Sequence, residues 1–472
     1  MMKKIYLTLG LAVGMLLSSC SDFLDRTPST SLPTDDAITS LADMQNAING
    51  VGYILSSERM TYGAEYAIYA DLKGPDFSIL KDYGQSSPIA KYSITKNDEL
   101  PDIAYEVYYK ALANINKALL AAEKLEVSES EADKLKDFKG QLLALRGLLH
   151  FDLARMFCKL PTSVDNLEED NSGLVLSAEV FPTNYKGVRS TLKDTYTQII
   201  QDFSDALLLL GKSKKDGYMN YWSALSLKAR AELYYGNNED ALKDAKAVIE
   251  GKTYALYTID NYSGIWSQEY SSESIFELKI TDVYNAQRNG AGYYCDGTGY
   301  PECGFNTKGY LYSYLSTHPE DTRSYLIKDQ SKISTKDGVP GYYPNKYPGR
   351  NGNLYVNNPK IIRLSEVYLI AAEAAVKIND ESAADFINIL RSNRIKDYNN
   401  VATVTLQDVL NERRIELFGE NHYAFDQWRN KLSVETPQAM VSSINYNDYR
   451  TILPIPQREI DQNDNLAQNP EY

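Results

Sequence analysis

Apolar residues recur along this chain at helical spacing. Leu142, Leu145, Leu149, Leu153 and Met156 step by three or four residues and line one face of a helix. Tyr196, Ile200, Phe203, Leu207 and Leu210 do the same. Similar patterns predict helices over about 36–56, 103–124, 219–235, 239–250, 362–378 and 381–396. Two pairs of these segments have the form of tetratricopeptide units. In "ALSLKARAELYYGNNEDALKDAKAVIE", Ala229 takes the small-residue position at a helix crossing, Gly236 ends the first helix, and Ala241 and Ala245 line the second. "RLSEVYLIAAEAAVKINDESAADFINIL" repeats the scheme with Ala371, Ala383 and Ile387. Long segments at about 57–102, 158–188 and 251–360 interrupt the array. The last holds "YNAQRNGAGYYCDGTGYPECGFNTKGYLYSYL", rich in Gly and Tyr and without sustained period. Long irregular loops in compact proteins are usually functional or disordered, and the aromatic content here favours an ordered loop.

The amino terminus has a different pattern. Lys3 and Lys4 precede the apolar run "IYLTLGLAVGMLL", which is too short for a comfortable membrane span and has the form of a secretory signal. It ends in "LSSC", Leu17 to Cys20, which resembles the lipoprotein box in which the cysteine becomes the acylated first residue. Two or more acyl chains anchor a protein stably, so residues 1–19 are expected to be a signal peptide and Cys20 a lipid anchor. Residues 20–34 then read as anchor and tether, dominated by Pro, Ser and Thr. No other apolar run is long enough to span a bilayer.

Composition narrows the function. The 472-residue chain is 43% hydrophobic and 24% charged, as in globular proteins, and carries a formal net charge of -14. That charge argues against nucleic acid as a partner, since phosphate binding draws on a basic surface. Tyrosine is abundant, with 38 copies against 12 Phe and 3 Trp. Its apolar ring and polar tip suit wet binding surfaces as well as helix interfaces. An exported protein is in a disulfide-permissive compartment. Cys295 and Cys303 bracket "DGTGYPE", and either a disulfide closing that loop or two free thiols fits the spacing. Cys158, in "ARMFCKL", reads as a buried free thiol.

Catalytic and metal motifs are lacking. There is no H-E-x-x-H, G-x-S-x-G or Walker loop. His150, His318 and His422 have no metal-ligand spacing. "DQNDN" at 461–465 lacks the central glycine and closing glutamate of a calcium loop. The residues therefore call for no cofactor and name no catalytic group.

One stretch has the look of an active site: "ERRIELFGENHYAFDQWR", Glu412 to Arg429. Thr405 with Asp408 forms a capping-box pattern that starts a helix, and Gly419 can end it. Arg413 falls on the buried stripe between Val409 and Leu417. A buried arginine requires an acidic or carbonyl partner, and Glu416, Glu420 and Asp426 are the near candidates. The stretch is expected to be structural.

The same residues resemble the signature of the SusD/RagB family of outer-membrane nutrient-binding lipoproteins. Glu412, Arg413, Arg414, Glu416, Leu417, Glu420, His422, Phe425, Asp426 and Arg429 fall where that pattern has them, while Gly419, Asn421, Tyr423, Ala424 and Gln427 depart from it. The ending "LPIPQREIDQNDNLAQNPEY", the helix "IIRLSEVYLIAAEAA" and "LRGLLHFDLARMFCKLP" are also similar. The resemblance implies a mainly α fold, with four tetratricopeptide-like helix pairs as scaffold and long irregular loops as ligand surface. It implies an N-terminal helical region over 35–250 and a C-terminal region with ligand loops over 251–472. It implies no enzymatic activity, an outer-membrane location facing the cell exterior, an oligosaccharide or peptide ligand, and a SusC-like TonB-dependent barrel as partner.

Family ligand sites draw on two places, here about 65–92 and about 284–306. The second holds Tyr284, Tyr293, Tyr294, Tyr300 and Phe305 among glycines, with no period that would bury them. These five are the candidate ligand contacts, with Tyr83 and Asp76 on the facing wall. A tetratricopeptide scaffold of an outer-membrane assembly without a small ligand is the competing reading. A glycan hydrolase would need two carboxylates about 5–9.5 Å apart across a cleft.

Overall fold

A computed structural model describes residues 38–472. The expected signal peptide, Cys20 anchor and tether fall outside the described residues. Nine long helices carry the architecture: α1 (Leu41–Ser57), α2 (Glu99–Lys124), α3 (Ala132–Phe157), α4 (Leu192–Leu207), α5 (Tyr221–Tyr235), α6 (Asn238–Glu250), α7 (Leu364–Lys377), α8 (Ala383–Ser392) and α9 (Leu406–Glu416). The first eight pack as four pairs of consecutive helices, α1/α2, α3/α4, α5/α6 and α7/α8. Each pair leans on the next through α2–α3, α4–α5 and α6–α7, and α9 packs on α7. The fold is mainly α, with four tetratricopeptide-like pairs.

Local chemistry sets the ends. Ser40 accepts from the Asp43 N–H at the start of α1, and Thr191 accepts from Asp194 N–H at the start of α4. α1 therefore begins later than the periodicity predicts, because the cap fixes the first turn. α2 begins earlier than predicted, and Pro101 sits in its first turn, where a missing N–H costs nothing. α5 ends at Gly236, whose φ of +100 is a conformation that side chains rarely adopt.

The stripe Leu142, Leu145, Leu149, Leu153 and Met156 is buried throughout. Small residues let the helices nest. Ala229, Ala241, Ala245 and Ala371 are fully buried. A Cβ on Gly147 of α3 would meet the Ile199 carbonyl and the Phe203 ring of α4 at 3.3 and 3.2 Å.

The insertions are not loose. Two of them join through a short antiparallel ladder in which Phe77 pairs with Phe305 and Ser78 with Gly304. Within the longest, Ile327–Asp329 pairs with Tyr342–Pro344, and Ser274–Glu277 pairs with Lys360–Arg363 just before α7.

The stretch that looked catalytic is a buried ion-pair network. Its helix α9 starts with the Thr405–Asp408 capping box. Glu416 receives hydrogen bonds from Arg363 at 3.0 Å, Arg394 at 3.1 Å and Arg323 at 3.2 Å. Arg363 also holds Glu420 and Glu273, at 2.7 and 2.6 Å. Burial alone would raise the Glu416 carboxyl, but Arg394, Arg363 and Arg323 outweigh it and hold it well below the ordinary carboxylate range. Of the three acids near Arg413 in sequence, only Asp426 is its partner, at 2.7 Å. Glu416 and Glu420 are taken by arginines from outside the stretch, which local sequence could not reveal. His422 is buried, and burial with the surrounding arginines pushes its pKa well down, so it stays neutral.

Candidate functional site

The site is built where the 58–98 insertion meets the 251–363 insertion. Glu302, fully buried, is the clasp. Its Oε1 accepts from the Tyr83 N–H at 2.6 Å and its Oε2 from Ser86 N–H at 2.5 Å, Ser86 Oγ at 2.9 Å and Ser87 N–H at 3.1 Å. The Pro301 carbonyl accepts from Leu80 N–H at 3.0 Å. A charged acceptor meeting several N–H donors makes short, strong hydrogen bonds, so Glu302 ties the two loop walls together.

On this base stand four tyrosines. The Tyr83 and Tyr300 ring centroids are 5.0 Å apart, Tyr300 and Tyr293 are 5.0 Å apart, and Tyr293 and Tyr355 are 5.6 Å apart. Tyr83 is 39% exposed, and the other three are half-buried. The rim is basic. Lys81 Nζ lies 5.0 Å from the centre of the Tyr83 ring, and exposed Arg288 stands beside Tyr355 and Tyr300, whose hydroxyls favour its charged form. Burial and then neighbouring Tyr355 push the Tyr293 phenol up, so it keeps its proton as a donor. The turn below is tight: a Cβ on Gly299 would meet the Tyr293 carbonyl oxygen at 2.1 Å, so only glycine fits. The result is an aromatic surface of one edge-to-face and two tilted ring pairs, with hydroxyl and cationic tips. It can stack on the C–H face of a sugar ring and bond its hydroxyls.

Of the sequence candidates, the structure brings Tyr83, Tyr293 and Tyr300 together. Three others are corrected. Tyr294 is fully buried, and its hydroxyl donates to Glu65 at 3.0 Å. It follows Tyr293 in the short helix Ala291–Tyr294, and consecutive helical residues point in different directions. Phe305 is buried, stacked on Phe77 at 5.3 Å in the inter-insertion ladder. Asp76 is buried and held by Arg414 Nε at 2.6 Å and Nη2 at 2.7 Å, so it ties the first insertion to α9 rather than facing a ligand. Tyr284 is 56% exposed but stands apart, edge-on to Tyr53 of α1 at 5.5 Å.

The disulfide alternative is also corrected: Cys295 and Cys303 are buried free thiols, as is Cys158. Burial first, and then a hydrogen bond with Cys295, push the Cys303 thiol well up. The loop closes instead through backbone bonds from Tyr300 N–H to Tyr293 O at 2.9 Å and from Cys303 N–H to Tyr294 O at 3.1 Å.

Sequence reasoning missed Tyr355, Arg288 and Glu302. Tyr355 sits in the turn-rich "GRNGNLYVNNP", an aromatic among Gly and Asn like those already singled out. Glu302 gives no such signal, because its donors are backbone groups of a remote segment. Among the described residues no helix is long and apolar enough to cross a membrane, and no group of three or more His, Cys, Asp or Glu could hold a metal ion.

Comparison with known proteins extends this picture. A family model described as starch-binding associating with outer membrane matches residues 22–233, and the SusD family model matches residues 188–472. A SusD superfamily protein from Bacteroides thetaiotaomicron is 32% identical, with a TM-score of 0.84 over 92% of this chain and 100% of that one. A SusD superfamily protein from Bacteroides vulgatus is 28% identical, with a TM-score of 0.83 over 92% of this chain and 100% of that one. A laminarin-binding SusD-like protein shares the fold at 20% identity and a TM-score of 0.72, over 92% of this chain and 100% of that one. No curated protein matches the chain. With more than half of its length under one family model, the chain belongs to the SusD family of outer-membrane-associated binding proteins.

Proposed function

We propose that this protein is a cell-surface lipoprotein that captures oligosaccharides and passes them to a SusC-like TonB-dependent barrel in the outer membrane. Acyl chains on Cys20 hold it to the membrane, and the helix pairs present the tyrosine platform outward. It binds and does not catalyse.

One observation carries this reading. Tyr83, Tyr293, Tyr300 and Tyr355 form a half-exposed aromatic surface on two clasped insertions, 5.0 to 5.6 Å from ring to ring. Tyr294 and Phe305 of the same loop are, by contrast, covered. A preorganised platform lowers the ordering cost of binding. Hydroxyl tips and a basic rim fit a neutral or weakly acidic glycan. Supporting it, a laminarin-binding protein has the same fold.

The test is native affinity electrophoresis against a panel of soluble glycans, with a peptide library as the second arm, together with co-purification from the outer membrane. Retardation by a glycan and recovery of a barrel protein support the proposal. Capture of peptides alone would move the ligand class to oligopeptides. Recovery of an assembly partner with no small ligand in either arm would favour the scaffold reading.

A further inference from the structure

Among the described residues, every arginine but two makes an ion pair with Asp or Glu. The two are Arg189 and Arg288. Arg189 is buried and spent within the protein, on the carbonyls of Gly173 at 2.8 Å and Ala467 at 3.3 Å and on Asn469 Oδ1 at 2.8 Å. Arg288 is exposed, and its neighbours are the hydroxyls of Tyr355 and Tyr300. The chain has 63 Asp and Glu against 49 Lys and Arg, yet none of the described carboxylates is placed against this guanidinium.

The acids of the two insertions near it are engaged elsewhere. Glu302 is spent on the backbone of residues 83–87. Asp82 pairs with Lys91. Asp296 is buried and pairs with Lys328. Asp282, the nearest acid to Arg288 in sequence, accepts from Asn353 at 2.8 Å. A second cation stands at the other end of the Tyr83–Tyr300 pair. Lys81, exposed over the Tyr83 ring, also has no acid partner among the described residues.

The turn that carries Arg288 is specific. Gln287 has a φ of +51, a left-handed conformation uncommon for a residue with a side chain. Asn285 Oδ1 accepts from the Gln287 N–H at 2.8 Å, and Asn285 Nδ2 donates to the Thr281 carbonyl at 2.9 Å. The Ala286 carbonyl accepts from Asn289 N–H at 3.0 Å. These bonds fix the base of the Arg288 side chain beside Tyr300 and Tyr355.

A guanidinium is a planar fork of donors that meets two oxygens of an acid group at once. A neutral sugar would stack on the rings and leave that fork without an anion. We propose that the tyrosine platform selects an acidic oligosaccharide, with a sugar ring stacked on the tyrosines and its acid group paired with Arg288. The inference rests on the platform being the ligand surface and narrows its ligand to anionic glycans. A uronate carboxylate and a sulfate ester share the oxygen pair that the fork requires. No covalent step is involved.

The experiment is calorimetric titration of the purified protein with oligosaccharides of three kinds. Polygalacturonate and alginate fragments carry carboxylates, carrageenan fragments carry sulfate, and laminarin and maltodextrin fragments are neutral. An acidic oligosaccharide is expected to bind about tenfold or more tighter than any neutral one. Arg288→Gln, at an exposed residue, should keep the wild-type melting temperature and weaken that binding by about tenfold or more. It should also flatten the dependence of affinity on salt, which a change in packing alone would not do. Arg288→Lys keeps the charge without the fork and should recover part of the loss. Binding of the uronates alone, or of the sulfated sugar alone, would support the inference and identify the acid group. Tighter binding of a neutral oligosaccharide that needs Tyr293 and Tyr300 but not Arg288 would overturn the inference and leave the platform standing. An acidic sugar held by Arg288→Gln with unchanged affinity and salt dependence would overturn it as well. If no oligosaccharide of any kind bound, the inference and the platform reading would both fall.

Discussion

The Tyr83 ring lies 5.0 Å from the Tyr300 ring although the two residues belong to different insertions. Glu302 brings them together by accepting from the backbone of residues 83–87. It acts on the ligand only through Tyr83, so it is a positioning residue. Glu302→Ala leaves several buried donors unpaired, and the cost should be about 3 kcal/mol, with weaker ligand binding as Tyr83 drifts. Glu302→Gln keeps the shape and should recover part of both. Denaturant unfolding and calorimetry read the two effects. An alanine variant with native stability would show that the clasp is not needed.

Arg413 is fully buried and pairs with Asp426 at 2.7 Å, while Asp426 is also held by Arg429 at 2.7 Å. Breaking a buried pair typically costs about 3–5 kcal/mol, and because Arg429 remains on Asp426 the low end is expected for Arg413→Ala. Ligand affinity at 25 °C should be close to wild type. Loss of affinity at unchanged stability would move this arginine into the site.

The same network sets the acid limit of the fold. Burial would raise Glu373, Glu416 and Glu420, but their arginine partners, with Lys377 and Lys346, hold all three below the ordinary glutamate value of about 4.3. Below that value the unfolded chain binds more protons than the folded one, so stability falls as pH falls. These pairs are thus fully stabilising above about pH 5 and are lost progressively as the medium is acidified further. Melting temperature should drop steeply as the pH falls below about 5. A flat profile down to pH 3 would contradict the ionised network.

Cys158, Cys295 and Cys303 are buried free thiols, and burial raises the pKa of Cys158 and Cys303. A thiol reagent applied to the native protein should therefore react slowly. Under denaturing, non-reducing conditions all three should be modified. Finding a single reactive thiol there would mean that Cys295 and Cys303 are bridged.

The helical scaffold was legible because its signals are local. Apolar stripes, the Gly236 stop and the Thr405–Asp408 cap are each written within a few residues. The site was legible only by region. Tyr293 and Tyr294 are chemically identical neighbours, and a helix shorter than two turns decides that one faces outward and the other donates to Glu65. Asp76 looked like a ligand group because its partner Arg414 is remote in sequence. Pairings between insertions depend on how the scaffold brings them together, and no local pattern encodes that.

The most direct measurement is calorimetry of a binding glycan with Tyr293→Ala/Tyr300→Ala beside Tyr294→Phe. Stacking on an aromatic ring is worth about 1 kcal/mol or more, so loss of two adjacent rings should weaken binding tenfold or more. The double variant should melt within a few degrees of wild type, since both rings are half-buried on the surface. Tyr294→Phe removes only a buried hydrogen bond to Glu65, so it should cost about 1 kcal/mol of stability and leave affinity unchanged. Affinity retained in the double variant, or lost in Tyr294→Phe at native stability, would contradict the platform as the ligand surface.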